Sequence, residues 1–178
     1  MLKRVGITIT TERFGVAADL FDEFLDVMES GDLTRALTEP VYDENNGETE
    51  PQQTEVFCSG RLRLNETDFS LSYEESELTG MEGSSSQLSF SLAQRGMVTL
   101  IRTGSVSTAL VFEKGKRHTC VYQTPYMPFE VCVHTLDVKN ELAATAGSIG
   151  GVLELDYVVE IRGAQAERCR MRVEVREM

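Results

Sequence analysis

The sequence predicts a mainly β protein, an antiparallel up-and-down β-barrel of about ten strands with one amphipathic helix inserted near the N-terminus. Short segments alternate apolar and polar side chains at the two-residue period of a strand. Turn-forming residues separate these segments, and most links are too short for anything except antiparallel neighbours. One stretch near the start has the period of a helix instead. These three observations together give the fold class.

The first elements are a strand and then the inserted segment. Alternating Val5, Ile7 and Ile9 predict a strand over 4–10. The next apolar residues recur on one stripe of a helix, which predicts an amphipathic helix over 16–28: Val16, Leu20, Phe21, Phe24, Leu25 and Met28. The segment 38–53 combines turn formers with acidic residues and predicts a loop. Residues 12–53 are therefore expected to be an insertion in a single domain that spans 1–178.

The remaining strands follow one another along the rest of the chain. They are predicted over 54–64, 69–75, 85–93, 97–103, 105–113, 118–124, 128–137, 152–162 and 167–176. Closing such a meander into a barrel removes the exposed edges that an open sheet would present. The sequence contains no unit in which a helix joins two parallel strands, and this favours a barrel over an α/β fold.

The last two strands have the clearest pattern in the chain. Leu153 to Ile161 and Cys169 to Val175 each place apolar side chains on one face and charged side chains on the other. Matching the apolar faces predicts that Glu160 lies opposite Arg168 and that Asp156 lies opposite Arg172. The arginine row from 168 to 176 is then a paired strand surface rather than a nucleic-acid site.

Composition indicates which partners and compartment to expect. The chain has 178 residues and a formal charge of −12, and an acidic surface repels nucleic-acid phosphates and anionic lipid. No apolar run approaches the roughly 18 residues of a membrane span. The four cysteines, Cys58, Cys120, Cys132 and Cys169, lack a C-x-x-C spacing and are typical of reduced thiols. We therefore expect a cytoplasmic protein without nucleic-acid or membrane partners.

Four runs of residues resemble a known family. They are SYEESELTGMEG at 72–83, VTLIRTG at 98–104, LVFEKGKRHTC at 110–120 and TPY at 124–126. These motifs are similar to those of the YwiB-like family of uncharacterised bacterial proteins, over about residues 54–178 and the first strand. The resemblance implies a calycin-like, that is lipocalin-like, β-barrel and brings no activity or site residues. Met127 stands where the family usually has glycine, and residues 11–53 enlarge a connection that is short in typical members.

A symmetric pair of motifs raises the possibility of a metal site. His118-x-Cys120 and Cys132-x-His134 are equidistant from Tyr126, so a hairpin symmetric about this residue would place all four side chains on one face. Two cysteines and two histidines form a ligand set for zinc. Ligands two apart on a flat strand are about 6–7 Å apart, however, and ordinary strand residues are the favoured interpretation, so no metal is expected.

No stretch of the sequence carries a recognisable catalytic motif. The acidic turn with Glu74, Glu75, Glu77 and Glu82 lacks the regularly spaced oxygen ligands of a calcium loop. The basic turn at 113–117 precedes a strand and lacks the glycines of a phosphate-binding loop. We therefore expect a protein that is not an enzyme and that needs no cofactor.

The strongest candidate site lies in the barrel interior. Arg102 follows Val98 and Leu100 in alternation, so its guanidinium points inward if those residues do. A buried cation requires a carboxylate or an anionic ligand, and Glu75 is the obvious internal partner. With Tyr73 and Tyr122 these residues are the predicted ligand-binding set. The alternative interpretations are a purely structural ion pair between Arg102 and a glutamate, or an inner face that is formed by Met97, Thr99 and Ile101 instead.

Three functional hypotheses remain open at this point. The first is a barrel that binds a small apolar or anionic ligand in or at its mouth. The second is an interaction or scaffold protein that uses the 16–28 helix and the acidic loop. The third is a metal protein or an enzyme with a weak sequence signal. The sequence favours them in this order.

Overall fold

Eleven antiparallel strands form one sheet in the computed structural model of this protein, which describes residues 1–14, 51–79, 81–145, 148–161 and 164–178. The strands are β1 (Leu2–Phe14), β2 (Gln52–Leu64), β3 (Asp68–Glu74), β4 (Ser84–Ser91), β5 (Gln94–Gly104), β6 (Thr108–Glu113), β7 (Arg117–Gln123), β8 (Pro128–Asn140), β9 (Ala143–Thr145), β10 (Ser148–Ile161) and β11 (Ala164–Glu177). A short 3-10 helix, η1 (Glu77–Thr79), follows β3.

The sheet curls into a nearly closed barrel. Its strand order is β6-β5-β4-β3-β2-β1-β11-β10-β8-β7, and β9 pairs with β10 beside this path. The two outermost strands, β6 and β7, are consecutive in the chain. Next to them Ser107 and Gln123 exchange two backbone hydrogen bonds of 2.9 and 2.8 Å. The predicted up-and-down barrel is therefore confirmed.

Strand alternation sorts the side chains as expected. Val5, Ile7 and Ile9 of β1 are buried, and the intervening residues of this strand are not. The other strands contribute to the same core, whose fully buried large side chains include Phe69, Phe112, Leu62, Leu71, Leu88, Leu142, Leu153 and Leu155. In β11, Cys169, Met171, Val173 and Val175 are buried, as predicted.

One end of the barrel is closed by polar contacts around a buried leucine. Arg95 at the start of β5 donates to the carbonyl oxygens of Asn140, at 3.3 Å, and Leu142. Asn140 donates back to the carbonyl of Arg95 at 3.1 Å. The Arg95 guanidinium also lies 5.5 Å from the centre of the Phe90 ring, and Leu142 is fully buried. Any ligand cavity must therefore lie toward the other end.

The inserted segment differs from the prediction where the structure describes it. β1 continues to Phe14 and β2 begins at Gln52, so both strands extend into the predicted 12–53 insertion. The predicted helix over 16–28 and most of the predicted loop lie outside the described residues. Within the described part of the chain η1 is the sole helical element, and no helix there is long and apolar enough to cross a membrane.

The C-terminal hairpin has the predicted faces but a different register. Glu154 lies opposite Arg172 and Asp156 opposite Arg170, which is two residues from the predicted pairing. β10 continues to Ile161 and β11 begins at Ala164, so the link is shorter than the turn assumed from the sequence. A bulge between Val159 and Glu160 accommodates the change. A shift of two residues preserves which face is apolar.

Gly60 gives a test of the barrel packing. A Cβ atom at this position of β2 would overlap the side chain of Ile7 and lie 2.7 Å from the carbonyl oxygen of Ser72. We expect Gly60→Ala to lower the free energy of unfolding by about 1–3 kcal/mol, because a filled core resists an added methyl group. Urea denaturation measures the change.

Gly96→Ala is the matched control, because nothing lies within 4 Å of a Cβ at that position of β5. It should leave stability unchanged or raise it by up to about 1 kcal/mol. Equal losses in the two variants would contradict the packing described here.

Candidate functional site

A cavity of about 130 Å³ lies at the end of the barrel opposite the Arg95 closure. Here β1, β3 and β5 end, and β2, β8 and β11 begin. Its apolar walls come from several strands and include Ile9, Leu100, Leu110, Val131, Val133 and Met171. Leu78 and Thr79 of η1 and the following Met81 form part of its rim. The cavity is thus an apolar pocket beneath the connection that links β3 to β4.

Arg102 and Glu75 form an ion pair in the wall of this cavity. Nε and Nη2 of Arg102 each lie 3.2 Å from Oε1 of Glu75. Their side chains are 10% and 3% exposed. Val98 and Leu100 point inward on β5, and two-residue alternation places Arg102 on the same face. The predicted inward direction of Arg102 and its pairing with Glu75 are both confirmed.

Hydroxyl groups complete the surroundings of Glu75. Ser86 donates to Oε1 of Glu75 and accepts from Nε of Arg102 at 3.3 Å. Thr79 Oγ1 lies 3.0 Å from Oε2 of Glu75 and 2.8 Å from the Ser76 carbonyl, so its single proton is shared. These contacts connect the buried ion pair to η1. They also use most of the hydrogen-bonding capacity of the Glu75 carboxylate.

Two tyrosines stand beside the ion pair. Burial raises the pKa of Tyr73, with a further contribution from the negative charge of Glu75, and Ser86 hydrogen bonds with its hydroxyl. Burial also raises the pKa of Tyr122, against the opposing effect of the Arg102 charge and a hydrogen bond with Arg102. Burial lowers the pKa of Arg102, but the oxygens of Tyr122 and Glu75 outweigh it and raise the pKa overall. Arg102 is therefore charged and both phenols are neutral at physiological pH.

All four residues of the predicted ligand-binding set line this one cavity: Tyr73, Glu75, Arg102 and Tyr122. Their convergence depends on segments that are distant in sequence, since β3 contributes Tyr73, the residue directly after it is Glu75, and β5 and β7 contribute Arg102 and Tyr122. The arrangement presents N–H and O–H donors next to apolar walls. That these residues bind a ligand stays a prediction.

A second ion pair in the same cavity was missed by the sequence analysis. Arg13 Nε lies 3.2 Å from Oε1 of Glu167, with side chains 36% and 11% exposed. Cys169 donates its thiol proton to the same oxygen at 2.9 Å. Burial raises the pKa of Cys169, as do the charge and hydrogen bond of Glu167, and Tyr157 hydrogen bonds with this thiol. The structure thus adds four polar residues to the candidate site.

The signal for these residues was present in the strand alternation. Arg13 continues the odd-numbered inner face of Val5, Ile7 and Ile9, and Glu167 continues that of Cys169 and Met171. The predicted first strand ended at residue 10 and so excluded Arg13, whereas Glu167 was the first residue of the predicted strand over 167–176 and was not recognised as inward-facing. Following the first alternation on to residue 13 and the last alternation back to residue 167 would have found both.

The histidine and cysteine quartet is not brought together. His118 pairs with Val133 and Arg117 with His134, so the β7–β8 hairpin is displaced by one residue from the symmetric pairing. Val131 and Val133 are buried, and His118 and Cys120, which lie opposite them, share their face. Cys132 and His134 lie on the other face. The symmetric pairing that this candidate zinc site would require is therefore not present, and the described residues contain no group of three or more metal-ligating side chains.

The outer arginine row is paired, as expected. Arg172 lies 2.6 Å from Glu154, Arg168 lies 2.8 Å from Asp156, and Arg176 pairs with Glu174. A groove of about 360 Å³ on this face is lined mainly by the same paired charges. Its larger volume reflects an open strand surface, so the interior cavity is the better site.

Comparison with known proteins agrees with the family resemblance. The chain matches the family described as a domain of unknown function, DUF1934, over residues 40–173. Its structure is similar to the crystal structure of ywiB protein from Bacillus subtilis, with a TM-score of 0.64, 14% sequence identity and coverage of 98% of this chain and 93% of that chain. At this identity the likeness shows the shared fold alone. No curated protein sequence matches the chain.

The buried ion pair predicts a strong and asymmetric effect on stability. Arg102→Met should lower the free energy of unfolding by about 3–5 kcal/mol, because Glu75 is left charged and unpaired in the interior. The double variant Arg102→Met/Glu75→Gln should be more stable than Arg102→Met. Urea denaturation of the four proteins in this cycle measures the coupling.

Arg172→Met is the matched control for an exposed pair. Arg172 and Glu154 are 47% and 42% exposed, and the loss should stay below about 1 kcal/mol. A double variant no more stable than Arg102→Met would contradict the role of Glu75.

The buried phenols predict a pH dependence. Burial raises the pKa of Tyr73, Tyr122 and Tyr157 above the value of about 10 in an unfolded chain. Their contribution to stability is then fully present below pH 10 and is lost as pH rises from 10 toward the folded-state values. In ultraviolet titration these three tyrosines should ionise only as the protein unfolds.

Replacing Tyr73 or Tyr122 by phenylalanine should reduce the amplitude of this late step by one tyrosine. Reversible ionisation of every tyrosine near pH 10, with the fold intact by circular dichroism, would contradict the burial of these phenols.

Proposed function

This chain belongs to the DUF1934 family, and we propose that it is a non-enzymatic binding protein that holds a small apolar or anionic ligand in the mouth of its barrel. The observation that carries the proposal is the buried Arg102–Glu75 pair beside an apolar cavity. A mostly apolar pocket with a few convergent polar groups is the usual form of a small-molecule site. The calycin-like character implied by the family resemblance is part of this proposal and adds an analogy from fold alone.

The size of the cavity limits the ligand. A volume of about 130 Å³ is close to that of engineered protein cavities of about 150 Å³ that bind benzene. The ligand is therefore a molecule of a few carbon atoms or a single ring. A fatty acid or a tetrapyrrole would require a much larger pocket.

The donors of the site select the polar part of the ligand. Arg102 is charged, and Tyr122 and Tyr73 stand beside it as neutral phenols. A ligand oxygen placed here would accept from the guanidinium. The apolar walls would cover the remainder of the molecule. An anionic or carbonyl oxygen with an apolar body fits both features.

Binding without catalysis is supported by the state of the potential nucleophiles. The pKa of Cys169 is raised by burial and by Glu167, so its thiol stays protonated and weakly nucleophilic. Burial likewise raises the pKa of Tyr157 well above its usual value. Neither group has the lowered pKa that an activated nucleophile requires. No cofactor is part of the proposal.

We also place the protein in the cytoplasm without nucleic-acid or membrane partners. All four cysteines are free thiols, which suits a reducing compartment. The outer arginines are paired with carboxylates of neighbouring strands. The overall charge of −12 opposes association with phosphate backbones.

Blocking the cavity should abolish binding. Thr11 lines the cavity from β1, and Thr11→Phe would fill it with a ring that strands accept readily. We expect benzoate or phenol to bind the wild type, with shifts in the NMR signals of Leu100, Leu110 and Val131 methyl groups. Thr11→Phe should weaken this binding by about tenfold or more.

Thr10→Phe is the matched control, because the adjacent residue projects from the opposite face of the same strand. It should bind the probes as the wild type does. Absence of any methyl shift in the wild type at saturating benzoate and phenol would overturn the proposal for apolar and purely anionic ligands.

A further inference from the structure

The cavity holds two ion pairs, and they come from opposite sides of the barrel. Arg102 and Glu75 lie on β5 and at the end of β3, while Arg13 and Glu167 lie on β1 and β11. Three strands separate β5 from β1 in the sheet order. Tyr157 also lines the cavity. Burial raises its pKa most, Glu167 raises it further and Arg102 lowers it, so it is within electrostatic reach of both.

The carboxylates of Glu75 and Glu167 differ in how many of their oxygen atoms accept hydrogen bonds. Glu75 receives Arg102, Ser86 and Thr79 across its two oxygens. Glu167 receives Arg13 and Cys169 on Oε1, and Oε2 has no hydrogen-bond partner among the described residues. A carboxylate oxygen in a nearly buried side chain favours a hydrogen-bond donor. The Glu167 side of the cavity therefore offers an acceptor.

The Arg102 side offers donors instead. Arg102 contacts Glu75, Ser86 and Tyr122, and these partners account for fewer than its five N–H groups. A carboxylate pairs with a guanidinium through two parallel hydrogen bonds where the geometry allows. The two sides of the cavity therefore differ in hydrogen bonding. Arg102 presents hydrogen-bond donors on one side, and Glu167 presents an acceptor on the other.

The charges of the cavity also balance. Two guanidinium groups and two carboxylates line it, so the anionic group of a ligand adds a negative charge to a confined space that is already neutral. A ligand that balances its anionic group with a positive group of its own avoids this cost. Its negative end matches Arg102 and its positive end matches Glu167.

We propose that the cavity binds a small zwitterion of amino-acid size, with its carboxylate on Arg102 and its ammonium group on Oε2 of Glu167. The inference rests on the proposed function and specifies its ligand class. Leu100, Leu110 and Val133 would enclose the carbon chain between the two charged groups. Arg13 holds Glu167 in place and is a positioning residue.

Calorimetry with matched probes tests the ligand class. L-valine and 4-aminobutanoate carry both charges at two different spacings. 3-Methylbutanoate and butanoate lack the ammonium group, and 2-methylpropylamine and propylamine lack the carboxylate. At least one zwitterion should bind about tenfold tighter than both of its truncated counterparts, because each charged hydrogen bond adds to affinity.

Glu167→Gln separates a binding role from a structural one. It keeps an acceptor for Arg13 and Cys169 and removes the charge that would face the ammonium group. The variant should lose about tenfold in affinity for the preferred zwitterion and keep its affinity for the matching carboxylate within about twofold. Glu174→Gln, on the outer face of the same strand, should change neither affinity. Thermal unfolding of both variants verifies that they fold.

Three other outcomes would contradict the inference, and they differ in whether the proposed function survives. If a truncated carboxylate binds as tightly as its zwitterion, the ligand is a simple anion, which overturns the zwitterion and keeps the proposed function. If benzoate or phenol binds in the cavity and no zwitterion does, the ligand is mainly apolar. This outcome also overturns the zwitterion and keeps the proposed function. If none of these probes perturbs the cavity methyl groups, both proposals fail.

Discussion

Every strand of a closed barrel sends alternate side chains into one shared interior, and a charge placed there is cut off from solvent by the neighbouring strands. Arg102 is on the inner face because Val98 and Leu100 are, and a charged guanidinium in that position requires a carboxylate. Glu75, which directly follows β3, supplies it at 3.2 Å. This ion pair connects the end of β3 to β5. Glu75 also accepts hydrogen bonds from Ser86 and from Thr79 of η1, which holds Thr79 at the rim of the cavity. The geometry of the candidate site follows from it.

Sequence periodicity predicts well which side chains of a strand face the core, but it predicts poorly which residues pair between neighbouring strands. The faces of β10 and β11 are as predicted, although their pairing is shifted by two residues, because an even shift keeps the same side chains inside. In the β7–β8 hairpin the pairing is shifted by one residue, and an odd shift moves side chains to the opposite face. His118 and His134 therefore lie on different faces of the sheet. Turn length and bulges set the register, and both depend on backbone geometry that residue identities specify weakly.

The candidate site was predictable where a charged residue interrupts an apolar alternation. Arg102 stands next to two inward apolar residues, and Glu75 lies two residues beyond the inward Tyr73. Arg13 and Glu167 were not found, because Arg13 lies beyond the predicted end of the first strand and Glu167 is the first residue of the last predicted strand. Their proximity comes from β1 pairing with β11, which joins the two ends of the chain, and no local pattern reports such a contact.

The energetics of buried charges bear on the role proposed for the two ion pairs. Buried ion pairs rarely stabilise a fold more than apolar side chains of similar volume would, since desolvation offsets most of the attraction. Native interiors are also packed with few voids larger than a water molecule. This barrel nevertheless places two ion pairs around an open volume of about 130 Å³. A barrel built for stability alone would fill that volume with apolar side chains, and the charged cavity that the described residues leave unfilled supports the proposed binding role.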